Sequence, residues 1–273
     1  MIPLISKREA QKILSSKPGH LDIFLDAGLS LTRISIGEDY AEIEKEKIPL
    51  QEFKKIKENS YYIIESGHLQ KLAFFSDESN FYYKLMPTAD WPTITLSSTP
   101  MHRWVIVSPK EDTLSKIKEI SPVKGRVLDT CCGLGYTAIM SAKEADEVYT
   151  FEKDEYVMHI AKFNPYSQEL FDNKKIRLSK GDICKIIYKL EREFFDRIVH
   201  DPPTFKYAPE LYSLEFYKQL FRVIKKDGIL YHYAPWPHRK GKPLYPRIIR
   251  NLKEAGFRNA KYSKESSGVV AQK

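Results

Sequence analysis

Residues 125–138 read Gly-Arg-Val-Leu-Asp-Thr-Cys-Cys-Gly-Leu-Gly-Tyr-Thr-Ala, an apolar strand running into a glycine turn and then a helix. Val127 and Leu128 form the buried end of the strand. Gly133 and Gly135 let the backbone approach a ligand closely, and Thr137 opens a helical run through Met140 to Ala145. Such units place nucleotide-like ligands at the carboxyl ends of parallel strands, where helix amides point outward. Asp129 precedes the glycines and Gly-x-Gly-x-x-Gly is absent, which separates the stretch from a dinucleotide fingerprint.

Downstream, apolar strands alternate with helices, the pattern of a mostly parallel α/β sheet. The strand Glu147–Glu152 ends in an acid twenty-three positions after Asp129. A carboxylate in that place accepts both hydroxyls of a ribose diol. A helix capped by Asp154 is expected to run to Leu170 with a break at Asn164-Pro165, and a third strand, 175–180, leads to Gly181-Asp182-Ile183, where Asp182 also suits a helix N-cap. The fourth strand ends in His200-Asp201-Pro202-Pro203-Thr204-Phe205. Two prolines after a buried strand fix a stiff, extended loop, Pro202 leaves its carbonyl free, Asp201 adds a carboxylate and Phe205 an aromatic face. Together these suit a planar, nitrogen-containing substrate.

A helix over 214–226, a strand over 229–233, a helix over 246–255 and two short strands within 259–272 complete the reading, the last closing the sheet as an antiparallel edge. Between them, Trp236, His238, Arg239, Lys240 and Lys242 interleave an aromatic ring with cations, the mixture that phosphate binding and base stacking require. Residues 221–273 carry 13 Lys and Arg against 3 Asp and Glu, so the formal charge of +8 is concentrated there. A basic surface confined to one segment points to a polyanionic partner.

Upstream, residues 1–105 alternate rather than repeat helically. Strands are expected at 21–25, 31–36, 40–44, 61–65, 69–75, 81–85 and 93–96, with short helices at 6–14 and 49–57. They form a β-rich accessory domain, 1–105, ahead of an α/β domain, 106–273. The proline-punctuated segment 86–104 reads as a linker closed by His102 and Arg103, which suit a phosphate or a carboxylate. Glu111–Ile120 reads as an amphipathic helix with Leu114, Ile117 and Ile120 on its buried face.

Three cysteines, two of them adjacent, supply no disulfide framework, and no Cys or His pair has metal-ligand spacing, so no metal is expected. No apolar run approaches the roughly 18–20 residues of a membrane span, and the first ten residues lack a signal-peptide core; a cytoplasmic location is expected.

Asp129-x-Cys131-x-Gly133-x-Gly135, Glu152, Gly181-Asp182 and Asp201-Pro-Pro-x-Phe205 stand in the order of the class I S-adenosylmethionine methyltransferases. Over residues 110–273 the chain resembles that class, with Cys131 where the first motif glycine normally stands. More narrowly, it resembles an archaeal family of predicted methyltransferases marked by His-Asp-Pro-Pro-x-Phe. The resemblance implies a Rossmann-like fold and S-adenosylmethionine as cofactor. It implies that the Gly133 and Gly135 backbone meets the methionine portion, Glu152 the ribose, Asp182 and Ile183 the adenine, with Asp129, Cys131, Tyr136, Thr137 and Lys153 beside them in the cofactor site. Asp-Pro-Pro-Thr-Phe is similar to a string of ribosomal RNA guanine methyltransferases, which implies a nitrogen target held by Asp201, Pro202, Pro203 and Phe205. A base in RNA is the leading expectation, guanine and transfer RNA foremost. The alternatives are a protein side chain or small amine as substrate, and an RNA-binding protein without turnover.

Overall fold

The computed structural model describes residues 2–97, 99–234 and 242–273, in two units. The first comprises the chain up to Lys110 together with 159–168, the second Glu111–Met158 and Glu169–Lys273.

In the first unit α1 (Lys7–Ser15) starts at a capping box: the Ser6 hydroxyl accepts from the Arg8 amide and the Glu9 carboxylate accepts from the Ser6 amide. Four antiparallel strands follow, β1 (Gly19–Phe24), β2 (Leu31–Ile36), β3 (Tyr40–Ile43) and β4 (Glu46–Pro49). The short α2 (Leu50–Lys54) leads to a hairpin of β5 (Tyr62–Glu65) and β6 (His68–Lys71). A second antiparallel sheet holds β7 (Ala73–Ser76), β8 (Phe81–Met86), β9 (Thr93–Leu96) and β10 (Thr99–Pro100). Alternation gives Ile23, Ile34, Ile36, Ile43 and Ile48 to one core with Phe53 beneath them.

Three expectations are corrected here. The run 69–75 is two strands, because the Leu72 amide leaves the β6 register to donate to the Tyr61 carbonyl, and the Leu85 amide donates to the Leu72 carbonyl. The 49–57 helix is shorter, ending at Lys54. The segment 86–104 is not a linker: β9 pairs along the whole of its length with β8, and Met101 N donates to Ile94 O.

The second unit is one sheet flanked by helices. From Pro109 the elements in chain order are α3 (Pro109–Glu119), β11 (Arg126–Asp129), α4 (Tyr136–Ala142), β12 (Glu147–Glu152), α5 (Glu155–Phe163), of which His159 onward is counted with the first unit, α6 (Gln168–Asp172), β13 (Ile176–Lys180), α7 (Ile183–Ile186) and β14 (Phe195–His200). Then come α8 (Leu214–Val223), β15 (Ile224–Tyr233), α9 (Tyr245–Ala255), β16 (Arg258–Ser263) and β17 (Gly268–Gln272). The strand order is β13-β12-β11-β14-β15-β17-β16, parallel through β15 and antiparallel at β17 and β16. This is a class I methyltransferase-like α/β fold.

Successive residues of each strand enter opposite cores: Leu128, Ile198 and Leu230 face one, Val127, Val199 and Tyr231 the other. Chain order reverses between β11 and β14, and the crevice at such a switch point is where ligands bind in open α/β sheets. The helix expected over 214–226 ends at Val223, because Phe194 N donates to Val223 O and Ile224 already pairs with Phe195. Asp227, at φ +61, then sits inside β15. Among the described residues no helix is long and apolar enough to cross a membrane.

Candidate active site

β11 and β14 deliver two loops side by side. The Thr130 amide donates to Val199 O at 3.0 Å, and the Thr130 hydroxyl meets His200 Nδ1 at 2.7 Å. His200 Nε2–H donates to the Leu211 carbonyl at 3.0 Å, so Nδ1 is the acceptor for Thr130. The neighbouring His232 has the opposite tautomer: its Nδ1–H donates to Tyr233 O, and Nε2 accepts from the Tyr217 hydroxyl, each at 2.7 Å. These two wholly buried rings, 4.4 Å apart edge to face, tie the strand ends together beneath the site.

The glycine turn is held from below. Asp129 is fully buried and accepts from the Thr150 hydroxyl at 2.7 Å and the Thr137 hydroxyl at 3.2 Å. Burial pushes its carboxyl up to about 7, against the pull of the Thr150 hydroxyl. Asp129 and Thr137, expected to line a cofactor, thus act on the turn itself, and the Tyr136 side chain is likewise buried. Gly135 is left-handed at φ +80 and caps α4; a Cβ there would lie 2.7 Å from Leu170 Cδ2. Gly133, at φ +56, differs: a Cβ built on it meets nothing within 4 Å, so this backbone borders open space.

Glu152, half-buried at the end of β12, accepts from Gly133 N at 2.9 Å and from Asp154 N at 3.0 Å. Burial raises its carboxyl pKa and these two amides oppose the rise. Asp182 is the N-cap of α7, accepting from Cys184 N at 2.9 Å, and Ile183 beside it is buried. Lys153 is exposed, 4.0 Å from Glu210. Open space at Gly133, a carboxylate tied to the Gly133 amide and an acid beside an apolar side chain fit an adenosyl cofactor with a charged methionine end.

The Asp-Pro-Pro loop brings in a helix that sequence reading described only by its apolar face. Lys116 of α3 is 2% exposed, and its ammonium lies 2.7 Å from Asp201 Oδ2, 2.9 Å from Asp112 Oδ2 and 4.9 Å from the centre of the Tyr233 ring. Burial opposes its charge, but the Asp112 and Asp201 carboxylates outweigh burial and hold its pKa above the ordinary value. Asp112 and Lys116 lie four residues apart on the inner face of α3, and Leu114, expected there, is 39% exposed instead. The i,i+4 acid–base pair was the available signal; it usually marks a solvated helix face.

Pro202 is buried, and the Tyr212 hydroxyl donates to Pro203 O at 2.8 Å. Phe205 is 37% exposed, with the Tyr212 ring edge-on at 5.5 Å and the Arg247 guanidinium 5.3 Å above its face. Burial raises the thiol pKa of Cys131 and Cys132 well above the ordinary range and that of Cys184 to about 12, so none is poised as a nucleophile. Of the expected substrate-side residues, Lys242 is exposed, and Trp236, His238, Arg239 and Lys240 lie outside the described residues. His102 and Arg103 belong to the first unit, where His102 Nδ1 lies 2.8 Å from the Thr93 hydroxyl.

The histidine pair and Asp129 make opposed contributions to acid stability. Burial holds His200 down to about 4 and His232 well below 6.5. Both stay neutral when folded and take up protons on unfolding, so their contribution is full above pH 6.5 and is lost as pH falls toward 4. Asp129, raised from 3.8 to about 7, contributes stability at low pH that is lost as pH rises through 7. With two rings against one carboxyl, calorimetric stability should fall between pH 6.5 and 4.5. Asp129→Asn should fall more steeply; equal slopes would contradict the assignment.

Comparison with known proteins bears on the fold and the family. The protein MJ1233 of Methanocaldococcus jannaschii is 41% identical over 280 aligned residues, covering 98% of this chain and 95% of that one. A spermidine synthase in complex with the transition-state analogue AdoDATO superposes with a TM-score of 0.57 at 17% identity, over 73% of this chain and 71% of its own. MnmC2 from Aquifex aeolicus does so with 0.50 at 21%, over 69% and 70%. Residues 143–264 match the model of a family described as S-adenosyl-L-methionine-dependent methyltransferase. The chain therefore belongs to one family with MJ1233 and is an S-adenosyl-L-methionine-dependent methyltransferase, with S-adenosyl-L-methionine as its cofactor.

Proposed function

We propose that the chain methylates a base nitrogen of RNA, with transfer RNA ahead of ribosomal RNA and guanine ahead of other bases. One observation carries this reading: the Asp201–Phe205 loop, at the switch point beside the glycine turn, sets an ion-paired carboxylate next to an exposed ring under a guanidinium. Carboxylate, proline carbonyl and aromatic face are the groups that grip a base extruded from its stack, and the +10 balance of residues 221–273 suits the phosphates around it. In this reading the Gly133 turn, Glu152, Asp182 and Ile183 hold the cofactor, whose sulfonium supplies the methyl group. The protein's part is positioning and exclusion of water.

The two glycines separate these roles. Gly135→Ala should lower stability by about 1–3 kcal/mol through its left-handed backbone and the Leu170 contact. Gly133→Ala carries backbone strain of about 1–2 kcal/mol but no clash, so its larger effect should be weakened S-adenosylmethionine binding by calorimetric titration.

Transfer of labelled methyl into unmodified transfer RNA, ribosomal RNA and cell protein tests the substrate. Label in an RNA band supports the proposal, and label confined to protein or small molecules overturns it. Phe205→Ala should raise the KM for RNA on the order of 10-fold or more, the loss of about 1–3 kcal/mol of base stacking, without changing the KM for the cofactor. A second reading, a small cationic amine as substrate, is favoured by two carboxylates sharing one buried lysine; label resistant to ribonuclease would support it.

A further inference from the structure

Lys116 and Asp112 belong to none of the motifs that place this chain among methyltransferases, yet they form the most buried charged contact of the Asp201 loop. Asp112 is 0% and Lys116 2% exposed, whereas 19% of the Asp201 side chain remains exposed. An ammonium has three donors and no acceptor capacity. One of them goes to Asp201 Oδ2 at 2.7 Å, Asp112 Oδ2 forms an ion pair with it at 2.9 Å, and the Tyr233 ring faces it at 4.9 Å. These contacts hold the buried ammonium against Asp201 Oδ2.

We propose that Asp112 and Lys116 are a positioning pair, which sets the orientation and the charge of Asp201 and so selects an acceptor nitrogen that carries hydrogen. The inference rests on the reading in which Asp201 meets the substrate. Asp112 orients Lys116, Lys116 grips Oδ2, and the Asp201 carboxylate is kept ionised. An ionised carboxylate only accepts hydrogen bonds, so the nitrogen it steers must donate one. Amino groups of bases and the guanine N1–H meet this requirement; guanine N7 and adenine N1 do not. In the transfer the nitrogen lone pair forms the new N–C bond, and the electrons of the breaking C–S bond stay on sulfur. The excess N–H proton passes to the Asp201 carboxylate and on to solvent.

Full-length enzyme with labelled S-adenosylmethionine and unmodified bulk RNA provides the test, read as kcat, as KM for each substrate, and as the identity of the labelled nucleoside. Lys116→Met removes the ammonium that both carboxylates face and is liable to unfold, so the informative variant is Asp112→Leu/Lys116→Met, which restores local charge balance and volume. It should melt close to the wild type, keep its KM for the cofactor and lose about 10²-fold in kcat, the scale of a 1 Å misplacement. Wild-type kcat in a folded double variant overturns the positioning role. So does label recovered as 7-methylguanosine or 1-methyladenosine. Asp201→Asn separates the two levels of the argument: full activity there removes Asp201 from the site altogether. An inactive Asp201→Asn beside a fully active double variant removes only the positioning pair.

Discussion

Lys116→Met is expected to lower the unfolding free energy by about 3–5 kcal/mol, the cost of removing one member of a buried ion pair. For a chain of this size that is a melting-temperature drop on the order of 10 °C. The reason is local. Asp112, fully buried, and Asp201, four-fifths buried, face the same ammonium, and methionine fills its volume without its charge. The deficit has a pH signature. Buried carboxylates that lose the ammonium they face ionise less readily, so the variant binds protons that the unfolded chain releases near its ordinary carboxylate pKa. The difference from the wild type should therefore widen from pH 5 to pH 8. Urea unfolding at the two pH values measures it, and a pH-independent loss below 1 kcal/mol would mean that water reaches the cluster.

Asp201→Asn should do the reverse, leaving the fold intact and removing the reaction. Lys116 keeps Asp112 as its counter-ion, so the buried charges balance and the melting temperature should stay within a few degrees of the wild type. With Lys116 donating to the amide oxygen, however, the amide nitrogen, a donor, takes the place of the second carboxylate oxygen, and the amide takes up no proton. A loss on the order of 10²–10⁴-fold in kcat, the range for one proton-handling group, is expected with little change in cofactor affinity. A folded Asp201→Asn enzyme within threefold of wild-type kcat would show that the carboxylate is not at the reaction.

The parts of this architecture that a one-dimensional reading reached are those set by neighbours in the chain. Strand, glycine turn and helix at 125–138, the alternation at 31–36 and the proline loop at 201–205 each follow from local periodicity and backbone restriction. Asp182 shows the limit of that method, since N-cap and ligand acid are the same residue in the same place and only the capping bond to Cys184 is visible. What lay out of reach is what tertiary structure decides. Lys116 and Asp201 are 85 positions apart, and nothing in the spacing of α3 marks its charged edge as the inner one. Ile224 left the expected helix because Phe195, on another strand, gave it a partner. The break at Leu72 follows equally from non-local hydrogen bonds to Tyr61 and Leu85.

The assignment of residues 159–168 to the first unit bears on the order in which the chain is made. His159 packs edge-on against Phe74 at 5.6 Å, Tyr166 lies against Trp91 at 5.6 Å, and the Tyr166 hydroxyl reaches Ala27 O at 3.5 Å. These contacts join the chain's beginning to a segment about sixty residues beyond Lys110. As the nascent chain leaves the ribosome at about 5–20 residues per second, the first unit stays incomplete for roughly 3–12 s after its own strands have emerged. By then β11, α4 and β12, the start of the cofactor site, have already been translated. The amino-terminal unit is thus completed only by residues that follow the glycine turn in the chain.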